Sequence, residues 1–306
     1  MAHGPIFRDK LTFFLSGRIQ SNNNYLYGIR RFTQTDEPDY SQYQDSTQFN
    51  PGTGEYLLSQ HSGDGDLVPM DWYDEFNING KLTYKLQNVK MSLMYLYNQS
   101  ENQNYSHVNK YKPDGRATNN SNSSMVTFRL NHIITQKMFY ELKLSYSNSY
   151  YGNYLYENPL DSRYIHDRFQ ANQQFTGFFT GGQDKGHTEV TTEKYSGRVD
   201  FTWQATYHHS LDFGAEISQF DYDNEYHSIL NAYRNTQASS VLYAPQIMPD
   251  STVYADVYAK QPYQASAYLS DKMEFDDMVI ELCARAEYFD PQTVYPTIYP
   301  NPSNLL

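Results

Sequence analysis

The chain has 306 residues and a formal net charge of −12, from 23 Lys and Arg against 35 Asp and Glu. That balance excludes the basic face that a nucleic-acid binder needs. One cysteine, Cys283, excludes an internal disulfide and a Cys-rich zinc module. A mean hydropathy of −0.76 and the lack of any run near the ~20 apolar residues of a spanning helix exclude a helical membrane protein.

Composition is unusual in one respect: 31 Tyr and 17 Phe stand beside only 2 Trp. Disordered polar chains are poor in aromatics, whereas Tyr and Phe suit the pleated surface of a sheet. They also suit the aromatic girdles of an outer-membrane barrel.

In chain order, Met1-Ala2-His3-Gly4-Pro5 has neither a basic n-region nor an apolar h-region, so no secretory leader is predicted here. Period-two alternation then recurs. Phe76, Ile78, Gly80, Leu82 and Tyr84 oppose Asn77, Asn79, Lys81, Thr83 and Lys85. Tyr140, Leu142, Leu144 and Tyr146 oppose Glu141, Lys143, Ser145 and Ser147. Val199, Phe201, Trp203 and Ala205 oppose Arg198, Asp200, Thr202 and Gln204. Leu211, Phe213, Ala215 and Ile217 oppose Asp212, Gly214, Glu216 and Ser218. The longest case puts Met278, Ile280, Leu282, Ala284, Ala286 and Tyr288 on one face. Val279, Glu281, Cys283, Arg285, Glu287 and Phe289 lie on the other. Successive side chains of a strand point to opposite faces, so each stretch makes one apolar and one polar wall.

Connections alternate in length. Tight turns are predicted over Leu86-Gln87-Asn88, Thr135-Gln136-Lys137, Thr206-Tyr207-His208 and Asp276-Asp277. Between the hairpins lie long stretches, 21–71, 101–123, 153–192 and 223–261, rich in Asn, Ser, Gly, Asp and Tyr. Short periplasmic turns and long extracellular loops are the rhythm of a transmembrane β-barrel. The strands reach the ~9–11 residues needed to cross a bilayer at a tilt. The expected fold is therefore all-β, an antiparallel transmembrane barrel segment of about nine strands. A soluble half-buried antiparallel sheet shows the same alternation, but rarely several loops above about 15 residues at one end. In a barrel the apolar wall faces lipid. Arg129, Lys143, Arg198, Glu216, Glu281 and Arg285 then face the lumen.

No constellation predicts catalysis or a resident cofactor. His208-His209 has no third metal ligand nearby. Asp221-Tyr222-Asp223-Asn224-Glu225 and Asp64-Gly65-Asp66 lack the Gly and distal Glu of an EF-hand and are expected to be solvated loop acids. Gly181-Gly182-Gln183-Asp184-Lys185-Gly186 lacks the spacing and the Ser/Thr of a phosphate loop. Asn98-Gln99-Ser100 is expected to belong to an Asn/Ser-rich loop. There is no Gly-x-Ser-x-Gly elbow, and His132 on a strand has no serine partner marked by sequence. Candidate ligand contacts lie instead in tyrosine-rich loops: Tyr151, Tyr154 and Tyr156 in the 150–156 run, and Tyr226 and Tyr233 further on. Tyr with Asn can stack on and hydrogen-bond sugars or chelators. An aromatic belt with inert loops is the alternative.

Two stretches resemble a known family. Gly4-Pro5-Ile6-Phe7-Arg8-Asp9-Lys10-Leu11-Thr12-Phe13-Phe14 is similar to the segment that follows the plug of TonB-dependent outer-membrane receptors. Ala267-Tyr268-Leu269-Ser270-Asp271-Lys272-Met273-Glu274-Phe275, continuing into Arg285-Ala286-Glu287-Tyr288-Phe289-Asp290-Pro291, resembles a barrel hairpin of the Bacteroidota-type members. His3 and Ala284 stand where that pattern often has Gly. The resemblance implies active uptake of a large nutrient (siderophore, vitamin or glycan) through the outer membrane. It implies a TonB complex reached through a plug, outer-membrane lipids as surroundings and, in some members, a SusD-like lipoprotein. Against that pattern the chain is expected to be one partial barrel domain, residues 1–306, lacking plug and C-terminal strands, with Asn301-Pro302-Ser303-Asn304-Leu305-Leu306 inside a loop. The alternatives are a small porin or surface adhesin without energised transport, and a soluble β-rich secreted binder.

Overall fold

The computed structural model describes residues 1–7, 10–36, 49–50, 55–56, 62–170 and 177–293, with backbone alone for 49–50 and 55–56. Arg8, Asp9 and the stretch 301–306 therefore lie outside the described residues.

Strands β1 (Ala2–Phe7), β2 (Leu11–Asn22), β3 (Trp72–Lys85), β4 (Val89–Gln103), β5 (Thr118–Thr135) and β6 (Met138–Tyr154) follow one another in a single antiparallel sheet. It continues through β7 (Gly186–Gln204), β8 (His209–Ser228), β9 (Ala255–Lys260), β10 (Tyr263–Phe275) and β11 (Met278–Asp290). Each strand pairs with its neighbour in sequence, except that β9 and β10 both pair with β8. Together these two make one line broken at Gln261-Pro262, where Pro cannot donate to the ladder. The carbonyl of Pro262 still accepts from the Phe220 amide at 2.9 Å.

All nine strands expected from alternation are present, joined by the expected tight turns. Several run higher than their apolar pattern. Thr118–Ser123, Gly186–Thr192 and Asp223–Ser228 were expected as loop and are strand. Asn98-Gln99-Ser100 and Asp221 to Glu225 are likewise strand, correcting both loop expectations. Above the apolar zone neither face must be apolar, so a hydrogen-bonded ribbon of Asn, Ser and Asp leaves no hydropathy signal.

Register shows what the alternation is for. Leu11 shares a cross-strand row with Tyr84, Met91, Leu130, Leu142, Val199, Ala215, Ala267 and Ala286. In β2 the apolar face starts at this row, at Leu11, and rises to Ile19. In β6 it spans Met138–Tyr146, and in β11 it starts eight residues below the row, at Met278. The lower limit thus drops by about one residue per strand. At a rise of ~3.3 Å per residue and a strand spacing of ~4.8 Å, that slope is a tilt of about 35°. Transmembrane barrels tilt by 35–45°. Along β6 the apolar stretch is then about 22 Å tall, close to the ~25 Å of a barrel's lipid-facing band.

Aromatic rows mark both limits of the band. Tyr95, Tyr146, Tyr195 and Tyr263 share the upper row, with the Tyr146 and Tyr195 rings 4.9 Å apart. Towards the lower limit Phe201 stacks on Phe213 at 5.0 Å and meets Tyr140 tilted at 5.4 Å, and Tyr207 and Phe275 lie at the tight turns.

The apolar face has no layer over it. Leu93, Leu144, Ile217 and Leu269 are each about half exposed. Among the described residues the buried apolar side chains are Phe32, Met70, Tyr164, Ile229 and Ala255, none of them in the band. A water-soluble sheet buries its apolar face against a second layer. This sheet presents it outward.

Candidate functional site: the polar wall and the cap of long connections

The polar face is densely charged in its lower part and mostly amide and hydroxyl in its upper part, where Arg18, Glu75 and Lys194 stand singly. Low on the wall, Arg129 and Glu141 pair at 3.2 Å. Arg198 holds both oxygens of Asp200, at 2.7 and 2.9 Å, and Asp200 also accepts from the Tyr268 hydroxyl at 2.7 Å. Arg198 lies 3.9 Å from Glu216, and Arg285 bonds Glu287 at 2.6 Å. Lys143 stands opposite both Arg129 and Arg198, and Lys272 opposite Glu281. All six charged residues expected to face the lumen therefore share one face. Lys81, Lys85, Lys90 and Arg129 border a hollow of about 420 Å³ beside the tight turns.

Higher up, the ion pairs stop. Asn22, Tyr73, Asn102, Asn119, Asn153, Thr188 and Tyr226 form one row. The Asn119 amide donates to the Asn102 carbonyl oxygen at 2.8 Å. Its own carbonyl oxygen accepts from Asn153 Nδ2 at 2.7 Å and from the Tyr151 hydroxyl at 3.0 Å. Asn98 donates to Glu75 at 2.6 Å. These amides lock one another across β3 to β6, fixing which groups stay free.

Above the sheet the long connections pack into a cap. Ile29 donates to the Lys110 carbonyl at 2.7 Å and Phe32 to that of Tyr111 at 2.9 Å. Gly182 donates to Gln34, Asp184 to Gly115, and Ile229 to Lys185, each at 2.8 Å. All four connections are thereby tied together. Met70, Phe32 and Tyr164 are buried in it, as in a small soluble core. Arg30 bridges Asp114 at 2.6 Å and Asp64 at 2.9 Å, so the Asp64-Gly65-Asp66 acids are partly spent on an arginine. Burial works against a charge on Asp36. Hydrogen bonds from Ser62 and Thr33 nonetheless hold its carboxyl below the usual range. Lys112, 2% exposed, donates to the Gly182 carbonyl at 3.0 Å. Burial pushes its ammonium down to about 8, with Asp184 opposing. Burial also pushes Tyr164 up to about 12. Gly181 sits where the cap is tightest. A Cβ there would lie 2.4 Å from the Phe169 carbonyl oxygen and 2.5 Å from that of Asp36.

The five tyrosines proposed from sequence do not converge. Tyr151 and Tyr226 face the polar wall, Tyr226 with its hydroxyl 3.1 Å from Ser228. Tyr154 faces the opposite way and stacks on His187 at 5.0 Å. Tyr156 is packed into the cap, under the Arg163 guanidinium at 4.1 Å and beside Tyr164 at 4.9 Å. Tyr233 is exposed in the connection after β8, its amide held by Asn231 at 3.0 Å. Sequence reasoning missed the Asn98–Glu75 and Asn102–Asn119–Asn153 sets, whose only signal was asparagine density.

The remaining motifs have ordinary surroundings. His208 bonds the Glu274 carbonyl at 2.6 Å and stacks on Phe275, while His209 bonds Asp271 at 2.7 Å. His132 lies against Tyr140, ring centroids 5.4 Å apart. Among the described residues no group of three His, Cys, Asp or Glu is placed to hold a metal ion.

Neither a protein-family model nor a curated protein matches the chain. Solved structures do. The outer membrane transporter YddB from Escherichia coli matches with a TM-score of 0.55 at 11% identity, over 94% of this chain and 33% of that one. FpvA of P. aeruginosa, in a pyoverdine–iron complex, matches with 0.55 at 12% identity, over 94% of this chain and 34% of that one. The chain spans about a third of the length of these structures. The fold is that of the β-barrel wall of such outer-membrane proteins.

Proposed function

We propose that this chain is part of the barrel of a TonB-dependent outer-membrane receptor that takes up a large, scarce nutrient. The observation that carries this is the uncovered apolar face, tilted through the register and edged by tyrosines, with the Arg–Asp and Arg–Glu pairs on the other face; Asp271, bonded by His209, is a carboxylate that shares the apolar face. Such a sheet is stable in a bilayer and not in water. The likeness in fold to a transporter and to a siderophore-bound protein supports uptake as the activity.

Residues 1–306 then form one barrel domain. Edges in hydrocarbon must be paired, at several kcal/mol per open group, so β1 and β11 meet either each other or further strands. In this reading a plug fills the lumen, makes the TonB contact and rests against the charged lower wall. The Bacteroidota-type assignment rests on the residue pattern of the β10–β11 hairpin, and a SusD-like lipoprotein on the family resemblance alone. No enzymatic step is assigned to the chain.

Fractionation of source cells, probed with an antibody against residues 155–170, tests the reading. The expected result is an outer-membrane band far above 35.8 kDa, in a protein whose ligand uptake stops when TonB is removed. An outer-membrane band near that mass with uptake indifferent to TonB supports a porin or adhesin instead.

A further inference from the structure

The outward wall of the sheet is hollowed near its upper limit. A groove of about 510 Å³ crosses β5, β6, β7 and β8. Phe128, Leu144 and Ile217 wall it, and Tyr195 and Gln219 close its upper end. Gly197 stands directly between Leu144 and Ile217. A Cβ there would meet Leu144 at 3.4 Å and Ile217 at 3.9 Å, so glycine keeps this notch open.

Two residues above Tyr195 and Gln219, on the same face, stand Glu193 and Asp221. They lie directly opposite each other, where like charges destabilise a sheet. No cation shares their face: every Lys and Arg in the described strands has a register position on the lumen side.

We propose that this groove seats one lipid of the outer leaflet, an acyl chain headed by a primary ammonium. The notch lies inside the apolar band, where hydrocarbon fills it. The carboxylates lie about 7 Å further along the strands, at the depth of headgroups. An anionic headgroup finds no outward Lys or Arg to pair with. A calcium ion takes about six to eight oxygens, and those present are partly spent. Glu193 accepts from Asn148 at 3.2 Å and from the Tyr195 hydroxyl at 2.9 Å, and Asp221 from Gln261 at 3.2 Å. An ammonium brings N–H donors to the lone pairs that remain, and its charge relieves the repulsion between the two carboxylates. A basic peptide from solution would reach the carboxylates and leave the notch empty. The inference needs the outward wall to face lipid and is independent of what the protein takes up.

The test uses the protein purified in mild detergent from the outer membrane of its own cells. It is offered an equimolar mixture of dioleoyl phosphatidylethanolamine and dioleoyl phosphatidylglycerol in EDTA, and the lipid it retains is counted by native mass spectrometry. The expected result is a preference of about fivefold for the ethanolamine headgroup, the effect of one charged hydrogen bond. Asp221→Asn combined with Glu193→Gln should remove the preference. Gly197→Leu, which fills the notch from the lipid side, should abolish retention of the lipid. Glu101→Gln, outward on β4 and away from the groove, should change neither. Equal retention of the two lipids overturns the inference, as does a preference that survives the double substitution or retention unchanged in Gly197→Leu. A preference for phosphatidylglycerol that appears when Mg²⁺ replaces EDTA also overturns it, and assigns the carboxylates to a bridging cation.

Discussion

The sheet and the cap are built for opposite solvents. The sheet turns Leu93, Leu144, Ile217 and Leu269 outward and keeps its Arg–Asp and Arg–Glu pairs on the other face. The cap does the reverse: Met70, Phe32 and Tyr164 go inside, and Arg163 and Asp161 stay at the surface. One chain thus follows the lipid rule over its strands and the water rule over its connections. The change occurs within single strands, where β6 passes from Tyr146 to Asn148 on one face.

The sharpest way to break this contrast is an adjacent pair in β4. Leu93 points out at mid-band and Ser92 points in. Leu93→Arg is expected to cost about 2–4 kcal/mol and to empty the outer membrane of the protein, read by heat-modifiable migration on gels. Ser92→Arg should assemble normally. Equal defects in the two would remove the assignment of faces.

In the cap the tightest spot comes next. Gly181→Ala forces a methyl onto two backbone oxygens and should cost about 2 kcal/mol or more. The expected readout is rapid proteolysis within 155–185 while the strands stay protected. Asp36→Ala strips hydrogen bonds from Thr33 and Ser62, at 2.9, 3.0 and 2.6 Å. That loss should loosen the same region by about 1–3 kcal/mol.

The remaining effect is on pH. Lys112 releases its proton near 8 when folded and near 10.5 when unfolded. Between those values the unfolded cap binds more protons, so cap stability should rise with pH across that window. The gain is at most about 1 kcal/mol per unit. Below pH 8 both states are protonated and the penalty is fully present. Proteolytic half-life of the cap from pH 7.5 to 10 checks this, and Lys112→Met should flatten the curve.

Much of the sheet was legible because lipid on one side and water on the other imposes a period of two, as in Met278–Tyr288. The polar extensions of β5, β7 and β8 were not, since water on both faces imposes no pattern on Asn119 or Asp223. Nor was the cap core, because Phe32, Met70 and Tyr164 come from distant stretches with no shared period. Strand β1 was hidden by Gly4-Pro5, which sits next to a register shift between Pro5 and Phe7. Tyrosine density correctly drew attention to 150–156, but which way each ring points depends on whether its residue is still in the ladder. Tyr151 and Tyr154 are both in it and, three apart, take opposite faces. Tyr156 has left it.

Cysteine scanning of β6 in intact outer membranes, in a Cys283→Ser background, tests the central claim most directly. With a water-soluble maleimide, positions 141, 143 and 145 should label, whereas 140, 142 and 144 should stay protected. From 148 upward both faces should label. Uniform labelling from 138 to 146, or protection on the side of Glu141 and Lys143, would contradict the account.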